Sequence, residues 1–220
     1  MSKKLQEKQR RRLAEEKRRA EMKRAQRRRN VITTVIALVV AAGVVWLVLS
    51  DTSGGPDKEV GAVNPGMTAE EAGCGEVQEA PELEAKHIAP GDEHEDYNTN
   101  PPTSGAHFAQ PLAPIDTGFY STPVEPEKVL HNLEHGQIVI WYNPDAPDQT
   151  IDDIETLTEQ EPLATVAVPW DDIEAPSQFV LTAWQNLQEC VQVAQDVVDD
   201  FRTEFQGKGP ENVGVPTFEG

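Results

Sequence analysis

PEKVLHNLEHGQIVIWYNP, residues 126–144, holds a helix, a stop and a strand in one short stretch. Pro126 suits the first turn of a helix and Gly136 its end, so the spacing predicts a helix over 126–135. Gln137 to Tyr142 (QIVIWY) is β-branched and aromatic, and Asn143-Pro144 closes it as a turn, which predicts a strand. Further along, LATVAV (163–168) predicts a second strand that stops at Pro169, and FVLTAW (179–184) a third. DDIETLTEQ (152–160) predicts a short acidic helix between the first two strands. Cys190, Ala194, Val197, Val198, Phe201 and Phe205 fall on one helical face, with Gly207 as the stop. Strands interleaved with helices predict an α+β or α/β fold: one domain, a small sheet with flanking helices.

The chain of 220 residues has a net charge of -19, and that charge is split. Residues 1–30 carry 14 Lys or Arg against 4 Asp or Glu, whereas residues 51–220 carry 5 basic against 34 acidic side chains. Between them Val31 to Ser50, VITTVIALVVAAGVVWLVLS, has no formal charge. At 1.5 Å per residue a helix of that length spans about 30 Å, the hydrocarbon thickness of a bilayer. A signal peptide usually has only about 7–15 apolar residues and a small-x-small cleavage site, so an uncleaved single-pass anchor is expected. The basic leader places the N-terminus in the cytoplasm and the remainder outside the cell membrane. The leader is expected to be helical and to set this topology, the alternative being that it docks to anionic lipid or to nucleic acid. An entirely cytosolic protein is excluded.

Residues 51–73 are poor in large apolar side chains and punctuated by Gly and Pro, which predicts a linker. The exported domain is expected over 74–208, a size that can bury one core, and the tail 209–220 is left without an assigned element. Its two cysteines, Cys74 and Cys190, lie where disulfides form, so pairing is the first expectation; two buried thiols or a thiolate metal site are the alternatives. A bridge there would pin the last predicted helix to the start of the domain. The acidity keeps such a domain soluble and disfavours nucleic acid as a partner; a high-salt habitat would account for it without any binding role.

All five histidines, His87, His94, His107, His131 and His135, lie within 49 residues of each other. The predicted helix sets His131 and His135 one turn apart, where two imidazoles can hold one metal ion. His107, at the end of the rigid NTNPPTSGAH loop (98–107), is the third candidate ligand for zinc or copper. With Met67 the only methionine of the outer part, soft Cu(I) capture is disfavoured relative to Zn or Cu(II). His94 sits among four acids in GDEHEDY as a solvated loop residue. Tyr97, Tyr120 and Glu134 are oxygen-bearing candidates for the surroundings of the ion. HNLEH also matches the inverted zinc-peptidase pattern H-x-x-E-H, in which Glu134 would be the catalytic base, although the long helix and downstream acidic ligand of a large peptidase have no counterpart.

DYNTNPPTSGAHFAQP, GFYSTPV and VLHNLEHGQIVIWYNP together resemble the bacterial membrane-protein family catalogued as domain of unknown function 3105. The resemblance covers roughly residues 74–208 and extends to VAVPW, LTAWQ and the cysteine before the last helix. It implies one N-terminal anchor and an exported domain with a PPTSG-x-H and an HNLEHG segment, and no activity. Its motif histidines fall on His107, His131 and His135, with His87 matching an earlier histidine and His94 matching none. The extreme acidity departs from the family pattern.

The function expected from these residues is a membrane-anchored, extracytoplasmic metal-binding module with His87, His107, His131 and His135 as ligands, which need not be an enzyme. An accessory subunit of a membrane assembly, its histidines bracing the loop against the sheet, is the alternative, and a zinc-dependent hydrolase ranks third.

Overall fold

The computed structural model describes residues 61–211 and 213–218. The basic leader, the expected membrane anchor and residues 51–60 of the expected linker lie outside them. No helix among the described residues is long and apolar enough to cross a membrane.

The fold is α+β. Among the described residues, eight strands and three helices follow in the order β1 (Gln78–Glu79), β2 (His87–Ile88), β3 (His107–Phe108), β4 (Gly118–Phe119), α1 (Pro126–Glu134), β5 (Ile138–Tyr142), α2 (Asp148–Gln160), β6 (Thr165–Pro169), β7 (Phe179–Ala183), β8 (Asn186–Cys190) and α3 (Gln195–Phe205). Six strands form one mixed sheet in the order β1-β8-β7-β5-β6-β4. The pairs β4·β6 and β5·β6 are parallel; β5·β7, β7·β8 and β1·β8 are antiparallel. β2 and β3 form a separate parallel pair.

β5 is buried along its whole length because both faces of the sheet are covered, which is why IVIWY is a continuous apolar run. Ile138, Ile140 and Tyr142 pack on one face with Ile154 and Leu157 of α2 and Val198 and Phe201 of α3. Val139 and Trp141 face the other way, against Val129, Leu130 and Leu133 of α1. The Trp141 indole N–H donates to Thr182 Oγ1 at 2.8 Å, so its one polar atom is satisfied inside that core. On the opposite side, the fully buried Arg202 donates to the Leu157 carbonyl and to Asp199, tying α3 to α2.

The central elements match the sequence, with α2 starting four residues earlier than its acidic run suggested. Two expectations are corrected. Cys190 ends strand β8 and is not on the last helix: the chain reverses after β7 through Gln185, which takes a left-handed φ of 65°, and NLQEC pairs back along FVLTA. The helical spacing of Cys190 and Ala194 arises because that window straddles a strand and a helix. The Cys74–Cys190 disulfide is present, but it pins β8, and not α3, to the start of the domain. Such a bridge belongs to an oxidising, extracytoplasmic compartment.

The second correction concerns residues 61–73, which are packed chain. Val63 and Ala72 are buried in the core beside α3, and Val63 exchanges hydrogen bonds with Gln195 through its N–H and carbonyl. The described residues of the tail carry no helix or strand, but they are docked. Gly207 N–H donates to the Gly136 carbonyl and Glu211 N–H to the Glu134 carbonyl, so residues 207–211 lie across the end of α1. Gly136 has a φ of +87°, and a Cβ on it would come within 2.7 Å of the Gly209 nitrogen, so no side chain fits between the two segments.

Candidate metal centre

Three separate pieces of chain bring side chains together beyond the outer end of α1. The parallel pairing of β2 with β3 sets His87 directly beside His107 in register. His131 and Glu134 project from the same side of α1, three residues apart. Potential ligand atoms of His87, His107, His131 and Glu134 all lie within 4.8 Å of one another. His107, His131 and Glu134 are buried, and His87 is the member open to solvent.

The loop that delivers His107 is rigid, as its prolines imply. Thr103 and Ser104 are fully buried. Ser104 Oγ accepts from Leu83 N–H, the Thr103 carbonyl from Gln185 N–H, and Tyr97 OH donates to the Ala106 carbonyl at 2.7 Å. Gly105, at φ +120°, lies under the Tyr97 ring, which a Cβ would approach to 3.2 Å. A larger residue could neither take that backbone conformation nor fit.

Two backbone carbonyls set the protonation of the buried rings. His107 Nδ1 is 2.8 Å from the Gly105 carbonyl, and His131 Nδ1 is 2.7 Å from the Phe108 carbonyl. A carbonyl only accepts, so each Nδ1 carries the hydrogen and, in the neutral ring, each Nε2 carries a lone pair. Those lone pairs face one carboxylate. Glu134 Oε2 is 2.9 Å from His107 Nε2, 3.4 Å from His87 Nε2 and 4.0 Å from His131 Nε2. Donor atoms bound at about 2.1 Å to one tetrahedral ion stand about 3.4 Å apart, the middle of this range. A proton between Glu134 and His107 would satisfy one of the three nitrogens; one cation at the centre satisfies all of them. Imidazole N–H groups held by carbonyls are also the usual way in which metal-binding histidines are oriented.

Burial holds the His131 pKa below the ordinary histidine value, against the opposing effect of its bond to Phe108, so the ring is neutral near pH 7 and free to coordinate. The sign of the linkage follows. Between about 6.5 and the lowered folded value, the unfolded chain binds a proton that the folded one does not, so stability is lost as pH falls through that window. Urea midpoints of the metal-free protein should drop from pH 7.5 to pH 5.5, and His131→Gln should flatten that dependence. An equally steep fall in the variant would remove His131 as its source.

Not every candidate arrives. His135 caps α1 just past its last residue and stands outside the group of four. Its Nε2 lies 3.4 Å from Glu211 Oε2 on the tail, in a second group with His131. The helical spacing that suggested one ion between His131 and His135 is real, but Glu134, one residue earlier, faces His107. Glu134 Oε2 thus lies among the Nε2 atoms of His87, His107 and His131. Tyr97 and Tyr120 spend their hydroxyls on backbone carbonyls, and His94 is engaged with the Glu95 carbonyl and near Glu127. Sequence reasoning missed Glu211 and Trp184. The Trp184 ring meets His107 edge-on at 6.1 Å between centroids, and its N–H donates to Glu82. Glu211 carried no local signal, since its place depends on where the tail docks.

Residues 88–216 match the family described as protein of unknown function (DUF3105), and the chain belongs to that family. No curated protein and no solved structure matches it.

Proposed function

We propose that this DUF3105 protein is a membrane-anchored, extracytoplasmic module that holds one zinc or Cu(II) ion between His87, His107, His131 and Glu134. The observation that carries the reading is the pair of buried imidazoles whose Nδ1 hydrogens are committed to carbonyls while their Nε2 atoms turn toward one buried carboxylate. In a site of low dielectric, facing lone pairs are costly, and a divalent cation converts them into bonds. Imidazole and carboxylate suit zinc and Cu(II) better than Cu(I), which prefers sulfur. The anchor follows from the apolar stretch Val31 to Ser50 behind a basic leader, and the disulfide agrees with an exported domain.

Elemental mass spectrometry of the full chain, extracted in mild detergent, tests the site. About one zinc or copper per chain is expected after reconstitution, and none in the His107→Ala/His131→Ala double variant. A wild-type protein that retains neither ion would make the histidines structural and leave partner binding as the better reading.

A further inference from the structure

The four clustered histidines are not equivalent, because His131 stands in the middle of them. Its ring stacks on His87 at 5.0 Å and meets His107 edge-on at 5.1 Å and His135 edge-on at 4.5 Å. Ligand atoms of His131, His135 and Glu211 also lie within 4.8 Å of one another, a second group that shares His131 with the first. We infer that this second group is an outer site for a divalent ion of the zinc or Cu(II) class, which passes the ion to the inner group by ligand exchange on His131. The inference rests on the inner site proposed above.

Three observations support it. The His135 Nε2 to Glu211 Oε2 separation of 3.4 Å is that of two donors on one tetrahedral ion, about 3.4 Å. Next, Glu211 is held in place: its own N–H bonds to the Glu134 carbonyl, and the tail before it crosses Gly136 at a distance that excludes any side chain. Finally, the outer pair is more accessible than three of the inner ligands, with 13% of the His135 and 48% of the Glu211 side chain exposed against 0% for His107, 4% for His131 and 6% for Glu134, the fourth, His87, being 44% exposed.

Sharing dictates the order of events. His131 Nδ1 is committed to the Phe108 carbonyl, so only Nε2 can coordinate, and His131 serves one group at a time. An ion taken up by His135, Glu211 and His131 keeps its bond to Nε2, releases His135 and Glu211, and gains Glu134, His107 and His87. No electron moves, and the proton that the His107–Glu134 pair holds in the metal-free protein is released as the ion enters, since a ligand must offer a lone pair.

Stopped-flow mixing of the metal-free full chain with Zn²⁺, followed by release to a chromophoric chelator, measures both directions. In His135→Ala and in Glu211→Gln, uptake and release should each slow by about tenfold. The equilibrium affinity of the inner site and a stoichiometry of one ion per chain should be unchanged, since a kinetic intermediate alters both rates equally. Glu211→Gln keeps the backbone bonds of the tail, so it reads the role of the carboxylate even if His135→Ala disturbs the helix end. Unchanged rates in both variants would mean that ions load past the exposed His87, and would overturn the outer site while leaving the inner one standing. Two ions per wild-type chain would overturn the sharing of His131. A wild type that binds no Zn²⁺ would instead overturn the inner site and this inference with it.

Discussion

Glu134→Gln is expected to abolish the zinc-dependent rise in melting temperature while leaving the metal-free protein at least as stable as the wild type. In the metal-free wild type a buried carboxylate oxygen stands 2.9 Å from a histidine nitrogen whose partner nitrogen already donates to a carbonyl. That pair needs an added proton to avoid facing lone pairs. A glutamine amide supplies an N–H of its own to His107 Nε2, so the variant satisfies the same contact without a charge to bury. It offers a far poorer ligand to a cation. An ion at a hundred times its dissociation constant stabilises the folded wild type by about 2.7 kcal/mol, and the variant should show almost none of this. The measurement is a pair of thermal melts of the full chain with and without Zn²⁺. A variant stabilised by zinc as much as the wild type would remove Glu134 from the site, and one much less stable without metal would make Glu134 a structural residue.

The second large effect concerns the bridge between Cys74 and Cys190. Their separation of 116 residues means that the disulfide closes most of the described domain into one loop. Constraining the unfolded chain to that extent is worth about 4–5 kcal/mol in the chain-entropy model, against a total stability of about 5–15 kcal/mol for a typical domain. The bridge also sits in a hydrogen-bonded seam: Gly75 N–H donates to the Glu189 carbonyl, and the Ala72 carbonyl accepts from Gln192. The Cys74→Ala/Cys190→Ala double variant should therefore lose most of its resistance to urea. Its melt should match that of the reduced wild type. A loss below about 1 kcal/mol would show that the unfolded chain is already compact enough for the bridge to add little. Cys190 belongs to the core on the face of α2 and α3, whereas the metal group is built on α1 and the β2–β3 pair, so a folded double variant should still bind its ion.

The elements legible in the sequence are those whose burial is continuous. QIVIWY and LATVAV are apolar runs bounded by Gly or Pro, FVLTAW is a third run between Gln178 and Gln185, and both faces of those strands meet covering layers. β1 to β4 are two residues each and have no period to detect; each exists because a partner strand lies beside it. β8 was hidden by its turn. Gln185 takes the left-handed conformation that Gly or Asn usually advertises, so nothing in the sequence marked the turn from β7 into β8. In the site, the clustering of histidines and the rigid loop before His107 were visible, and the proline-rich segment does carry His87 and His107 to α1. The division of labour between Glu134 and His135 was not, because adjacent positions on a helix end point to different neighbours, and those neighbours come from β3 and from the tail.

The sequence by itself determined the layout of charge, the apolar stretch ahead of the domain, the central strands, the helix that carries His131 and the pool of side chains able to bind a metal. These depend on residue type and on spacing within a turn or a strand, interactions that act over a few positions. Only the tertiary structure decided which of those side chains meet. The in-register pairing of His87 with His107, the Phe108 carbonyl that holds the Nδ1 hydrogen of His131, and the docking of Glu211 beside His135 each join segments far apart in the chain. A ligand group needs atoms placed to within an ångström, and that precision comes from the packing of the whole domain.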